Sequence, residues 1–207
     1  MAANYNNSAW FYDRLSRIVY GKALVNAQVY LLKHVPANSK VLIAGGGTGW
    51  ILEELSKIHP TGLNITYVEI AEHMMALSQK RNVAGNTVTF INDAVENVTL
   101  PADFDVVVTP FLFDNFTEQT LVKVFAHIHS LLKRDGLWLN TDFQLTSKWW
   151  QQFLLKTMFL FFKVICGIEA SKLPAIAKCF AEAGYKVADR KTFFGDFIVS
   201  EVYKQEE

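Results

Sequence analysis

The chain has 207 residues, near the size of one large domain, and 51% of them are hydrophobic, enough for a substantial core. Twenty basic and twenty acidic side chains leave a formal net charge of zero, so no global field draws in DNA, RNA or an anionic membrane, and nucleic acid is excluded as a substrate class. Only two cysteines occur, Cys166 and Cys179, and no basic then apolar leader opens the chain, which together predict a reduced, cytoplasmic protein.

Residues from about Ala9 to Val35 read as two helices broken near Gly21, positioned ahead of a sheet and able to lie over its ligand-binding end. Val41-Leu42-Ile43-Ala44 is then an apolar run feeding Gly45-Gly46-Gly47-Thr48-Gly49, after which Ile51, Leu52, Leu55 and Ile58 follow helical spacing. Strand, glycine turn and helix N-terminus in that order present backbone N–H groups and the positive end of a helix dipole, and the glycines let a ligand touch the backbone. The pattern is a cradle for a nucleotide-type cofactor. A second apolar run, Ile65 to Val68, ends in Glu69, about twenty residues past the loop, where an acid can accept hydrogen bonds from ribose hydroxyls. Dinucleotide folds place a small residue where Trp50 stands, and Trp50 is too large for that role.

The run from Glu72 to about Val83 is helical, Gly85-Asn86 turns into a third strand, Val88 to Ile91, and Asp93 follows it. Phe104 to Thr109 is a fourth strand. Thr117 is placed to cap a helix whose Leu121, Phe125, Ile128 and Leu132 form one stripe, and Leu131 to Gly136 leads into a fifth strand. Ser171 is placed to cap a later helix with Pro174 in its first turn and Gly184 at its end, and Tyr185 to Asp189 and Phe193 to Tyr203 read as the last strands. Alternating short strands and helices imply a parallel doubly wound sheet with its ligands at the carboxyl ends of the strands, where the glycine loop, Glu69, Asp93 and Thr109 all fall. His127 and His129, two apart, point to different sides of a helix, and no metal spacing is present.

These elements together resemble the class I S-adenosylmethionine-dependent methyltransferases, whose first motif is a strand running into GxGxG, here Gly45, Gly47 and Gly49. The resemblance covers nearly the whole chain. It implies a Rossmann-like sheet of seven strands with the last antiparallel, with N-terminal helices over 1–36 and a helical cap insertion over 149–170, all in a single domain, and S-adenosyl-L-methionine as cofactor. It further implies that Ala44, Gly45, Gly46, Gly47 and Gly49 cradle the cofactor with Thr109 at the same edge. Glu69 would take the ribose, with Ile70 beside it and Met74 against adenine, while Asp93 and the Ala94 N–H would read the adenine edge. The family's usual acidic residue two positions before the first glycine is replaced by Ile43, which reads as buried strand packing. Ala9 to Ser16, with Tyr12 and Asp13, resembles the opening of the methyltransferases of ubiquinone and menaquinone biosynthesis and their small-molecule relatives.

Trp149 to Ile168 is very apolar but carries Lys156 and Lys163, so it is unsuited to crossing a membrane, which needs ~20 residues with few or no charges. Its place after the fifth strand predicts a helical cap beside an acceptor pocket, with its outer face open to a second copy in a homodimer. Methyl transfer is an in-line displacement that needs alignment more than side-chain nucleophiles. Asp114 and Tyr12 are the candidate catalytic residues, and Asp142 is a second acid on the same edge. The expected activity is methylation of a small, apolar or aromatic acceptor. An aminopropyltransferase, or a binding module that keeps the fold without turnover, is the alternative.

Overall fold

Val41 and Ile43 of β1 (Lys40–Ala44) enter one face of a sheet while Leu42 and Ala44 enter the other, and all four are fully buried. A strand without a polar side belongs in the middle of a sheet covered on both faces. The computed structural model, which describes residues 19–166 and 170–206, places it there. The other strands are β2 (Thr61–Val68), β3 (Gly85–Ile91), β4 (Phe104–Pro110), β5 (Leu132–Phe143), β6 (Tyr185–Phe193) and β7 (Ile198–Gln205). They form one sheet in the order β3-β2-β1-β4-β5-β7-β6, parallel except that β7 runs antiparallel to both neighbours. The expected seven-stranded sheet with its last strand antiparallel is what forms.

Helices α1 (Ala23–Leu32), α2 (Trp50–Ile58) and α3 (Glu72–Ser78) cover one face, where Leu31, Leu52, Leu55 and Met75 pack on Ile43, Ile65 and Tyr67. Helices α4 (Glu118–Leu131) and α6 (Ile176–Glu182) cover the other, packing Leu121, Phe125 and Phe180 around the buried Trp138. A third apolar cluster sits past the carboxyl ends of β4 and β5, where α5 (Trp149–Cys166) lays Leu155 and Phe159 on Phe143, Phe197 and Tyr20. The insertion is therefore a helix at the ligand edge of the sheet, as its place in the chain implies.

Several local expectations are corrected. The chain does break at Gly21, with φ +58°, but α1 packs on the sheet face, where the Ala27 carbonyl accepts from Ser200 of β7, and among the described residues Tyr20, Ala23, Leu24 and Ala27 join the cluster at the ligand edge. Residues 1–18, including Tyr12, lie outside the described residues. The helix after Glu69 ends at Ser78, and β3 begins already at Gly85. Phe193 ends β6 instead of opening the last strand, because Phe194 and Asp196 take positive φ in the turn before β7. Ser171 does not cap α6. The helix starts at Ile176, and the Ala175 N–H donates to the Glu118 carboxylate across the helix layer, so the cap comes from a tertiary contact. Thr117 does cap α4, accepting from the Thr120 N–H at 3.3 Å.

Candidate functional site

Gly45, Gly47 and Gly49 have φ of +71°, +63° and +76°, a backbone that side chains rarely adopt, so the turn after β1 requires glycine at these positions. Gly46 is required for a different reason, since a Cβ there would stand 2.3 Å from the Tyr67 ring. At Gly49 a Cβ would stand 2.7 Å from the Ser78 backbone, so the start of α2 and the end of α3 meet without a side chain between them.

The loop is held from β2 and α3. The Gly47 N–H donates to Glu69 Oε2 at 2.8 Å, the Tyr67 hydroxyl donates to the Gly47 carbonyl at 2.8 Å, and Arg81 Nε donates to the Thr48 carbonyl at 2.9 Å. Glu69 Oε1 accepts from the Ala71 N–H at 2.9 Å. Burial pushes the Glu69 carboxyl above its ordinary value, and the backbone N–H groups of Ala71 and Gly47 only partly offset this. A carboxylate has about four acceptor positions, and with the Ala71, Gly47 and Ile70 amides acting on Glu69 about one remains for a ligand. Ile43 is fully buried among Leu52, Ile65 and Tyr67. A loop-ordering acid is thus absent from position 43, and Glu69 with Tyr67 orders the loop from the neighbouring strand.

A cleft with about 370 Å³ of free space, counting its open mouth, lies beside this loop. Gly45, Glu69, Ile70, Asp93 and Ala94 line it together with Val68, Val95, Glu96, Leu112 and Phe116. Asn92 fixes one wall by donating from Nδ2 to the carbonyls of Glu69 at 2.7 Å and Ile70 at 3.1 Å. Asp93 Oδ1 accepts from the Ala94 N–H at 2.7 Å and from Asn97 at 3.0 Å, leaving Oδ2 without a partner among the described residues. The Ala94 N–H is thus already donated.

A methyltransferase domain profile matches residues 41–136, the span that contains all of these groups. The malonyl-[acyl-carrier protein] O-methyltransferase of Bacillus cereus is 33% identical over 144 residues, which cover 67% of this chain. The chain belongs to the class I S-adenosylmethionine-dependent methyltransferases. It spans about half the length of the curated relatives it matches, 51% of the Bacillus cereus enzyme and likewise of its Bacillus anthracis counterpart. Among solved structures it resembles the magnesium protoporphyrin IX methyltransferase of Synechocystis PCC 6803 with bound S-adenosylhomocysteine, with a TM-score of 0.69 at 18% identity over 98% of this chain and 97% of that one. It also resembles the 1,6-didemethyltoxoflavin-N1-methyltransferase of Burkholderia thailandensis, with a TM-score of 0.67 at 17% identity over 95% and 84% of the two chains. These likenesses show a shared fold.

Within this methyltransferase fold three expected cofactor residues sit elsewhere. The Ala44 side chain is buried in the α4-side core. Met74 is buried against Ala71, and Ile70, 39% exposed, offers the apolar surface in the cleft. Thr109 is fully buried, its hydroxyl donating to Asn140 at 2.8 Å and accepting from the Trp138 indole at 3.0 Å, so it braces β4 against β5.

Asp114 lies beyond the cleft, in the turn that follows β4. Phe111, a bulky residue at φ +53°, starts that turn, and such a conformation costs on the order of 1–3 kcal/mol unless its surroundings impose it. Here the Phe111 N–H donates to the Thr141 carbonyl, and Asn115 Nδ2 donates to the carbonyls of Phe111 and Leu112. The result is a partition. Leu112 and Phe116 line the cleft, while Phe111 joins the α5 cluster and Asp114 is buried toward Asp142 and Tyr20. Burial, then the charge of Asp142, raises the Asp114 carboxyl well above the ordinary carboxylate range. Burial likewise pushes Asp142 up to about 7, with the amides of Phe143, Phe113 and Asp114 offsetting part of it. Asp142 Oδ2 is buried without a hydrogen-bond partner among the described residues. Mutual repulsion opposes ionisation of both, which keeps at least one of the two buried carboxyls protonated near neutral pH. The turn residues Phe111 and Asn115 carry no motif in the sequence, and Tyr67 and Arg81 fall there within a strand run and a helical run.

Tyr67→Phe tests the loop latch. It removes one hydrogen bond to the Gly47 carbonyl, a net contribution of about 0.5–1.5 kcal/mol, and should weaken binding of S-adenosylhomocysteine severalfold in titration calorimetry while the cooperative melt persists.

Proposed function

We propose that the chain binds S-adenosylmethionine in the cleft between the glycine loop and Asp93 and methylates a small apolar or aromatic acceptor seated on the far side of the Phe111–Phe116 turn, against α5. The observation that carries the cofactor part is the convergence of a glycine loop with positive φ at Gly45, Gly47 and Gly49, a desolvated Glu69 with an unused acceptor position, and a free Asp93 oxygen around one cleft. Glu69 takes the ribose hydroxyls, Ile70 packs on the base, and Asp93 Oδ2 accepts from its amino group. The bound cofactor supplies an electrophilic methyl group on a sulfonium.

The rest is alignment by this chain's own residues, which can supply effective molarities of ~10⁵ M or more. Leu112 separates cofactor from acceptor, α5 excludes water through Leu155 and Phe159, and the Asp114–Asp142 pair takes up the proton an O–H or N–H acceptor releases. A carboxyl near 7 suits that task at neutral pH, because a general base works best with its pKa near the operating pH. An aminopropyltransferase would need an open anionic surface for a polyamine, whereas this acid pair is buried among aromatic rings.

Titration calorimetry with S-adenosylhomocysteine tests the cofactor reading, and binding that weakens on Asp93→Ala with an unchanged melt is the expected outcome. No binding to the wild type, or a variant that loses its cooperative melt, would overturn it.

A further inference from the structure

The outer face of α5 carries four large apolar side chains in the open: Trp149 at 79% exposure, Phe153 at 69%, Leu160 at 64% and Val164 at 74%. At 100° per residue these four fall within about 60° of one another, opposite Leu155 and Phe159. Lys156 and Lys163, both exposed, run along one flank of that stripe. From Gln144 to Ile168 the sequence holds three lysines and no acidic residue, and of these Lys148 is paired with Asp196 at 2.8 Å, leaving Lys156 and Lys163 as the charges beside the stripe. Beside the stripe, Thr157 spends its hydroxyl on the Phe153 carbonyl, and the exposed Gln152 joins the lysine flank as an uncharged polar side chain.

We propose that this face docks on an anionic lipid surface. An apolar stripe bordered by lysines whose stems reach past it to a polar boundary is the composition that lies in the plane of a bilayer interface. Among the described residues no helix is long and apolar enough to cross a membrane, so the contact is peripheral. A second copy of this chain fits the face less well, since a two-fold contact would set Lys156 and Lys163 against their own counterparts with no acid on the face to neutralise them. A protein partner would call for directional polar contacts at about one hydrogen bond per 100–200 Å², which this stripe does not offer. The docking stands without the activity. Resting on the acceptor-side reading above, it also turns the carboxyl edge of the sheet toward lipid, so that an acceptor dissolved in the bilayer reaches the α5 side of the turn.

Sedimentation with vesicles of phosphatidylcholine mixed with phosphatidylglycerol, against phosphatidylcholine alone, tests this with the full chain. The wild type should partition onto the anionic vesicles and be released by salt. Phe153→Ser with Leu160→Ser, and separately Lys156→Glu with Lys163→Glu, should each weaken partitioning about tenfold or more while keeping wild-type affinity for S-adenosylhomocysteine. These positions are exposed and do not line the cofactor cleft, and retained affinity shows that the fold survives. The proposal fails if the wild type stays in the supernatant with both vesicle types, or if both variants partition as the wild type does. It fails equally if the wild type forms a dimer in solution that Phe153→Ser with Leu160→Ser abolishes, since a second copy would then be the occupant. Failure of the cofactor reading would show separately, as absent S-adenosylhomocysteine binding in a protein that still partitions.

Discussion

Glu69→Ala should lower the affinity for S-adenosylmethionine by roughly ten- to a hundredfold, since charge-assisted hydrogen bonds contribute about 1.5–3 kcal/mol and about 1.4 kcal/mol is tenfold. Two losses add in this variant. The ribose loses its acceptor, and the Gly47 and Ala71 N–H groups lose the oxygens that hold the loop and the start of α3 in place. Glu69→Gln separates them only in part, because the amide has one acceptor oxygen for two N–H groups and must set its own NH₂ against the other. The wild-type affinity should also fall on acidification, and earlier than for an ordinary glutamate. The Glu69 carboxyl is raised by burial, so it takes up a proton at a higher pH and then loses acceptor capacity. Calorimetry across pH checks both effects, and an affinity unchanged in Glu69→Ala would remove Glu69 from the site.

How much of this was legible depends on whether a feature is local along the chain. The glycine loop is, because an apolar run ending in glycines at alternate positions forces one kind of turn, and all three of Gly45, Gly47 and Gly49 adopt positive φ. The offset from loop to Glu69 is legible for the same reason, as one helix and one strand separate them. Its second task is not. Holding the Gly47 N–H depends on the turn closing back over β2, which brings Tyr67 under Gly46 as well.

Thr109 shows the opposite failure. The end of a strand locates the edge correctly, but the face is set by alternation, and Thr109 turns to Trp138 and Asn140 between the layers. Met74 packs with Ala71 at the start of α3, and Ile70, which precedes that helix, is the apolar side chain lining the cleft. The cap of α6 by Glu118 joins positions 57 apart in sequence, beyond any local pattern. The same holds for α5. Its lysine spacing reads as a wetted stripe, and only the fold shows that four large apolar side chains share that outward face.

Asp142→Asn should make the protein more stable at pH 8 and leave it no more stable near pH 4. In the unfolded chain Asp142 titrates near the ordinary ~3.9, whereas folded it titrates at about 7. Below the lower value the carboxyl is protonated in both states and carries no penalty. Between the two, the unfolded chain releases the proton that the folded chain keeps, so wild-type stability falls as pH rises, and above the upper value the deficit stays constant. Asparagine does not titrate. Its Oδ1 can keep the Phe143 N–H bond of 2.8 Å, while its NH₂ replaces the unpartnered Oδ2 near the Phe113 and Asp114 amides, which offsets part of the gain. The gain at pH 8 should be on the order of 2 kcal/mol, after setting the relieved charge burial against the cost of burying an amide. For a chain of this size each kcal/mol moves the melting temperature by roughly 2–4 °C, so melts at pH 4, 6 and 8 should show wild type and variant diverging by several degrees. Parallel melting curves across that range would show that Asp142 is ionised throughout and that the fold does not raise its carboxyl. If the pair does accept the acceptor's proton, the stabilised variant should bind S-adenosylhomocysteine normally and turn over roughly a hundredfold or more slowly, the scale of a lost general base. A gain in stability bought with activity is the signature expected of two carboxyls kept side by side against their mutual repulsion, since packing alone would favour a neutral side chain at either position.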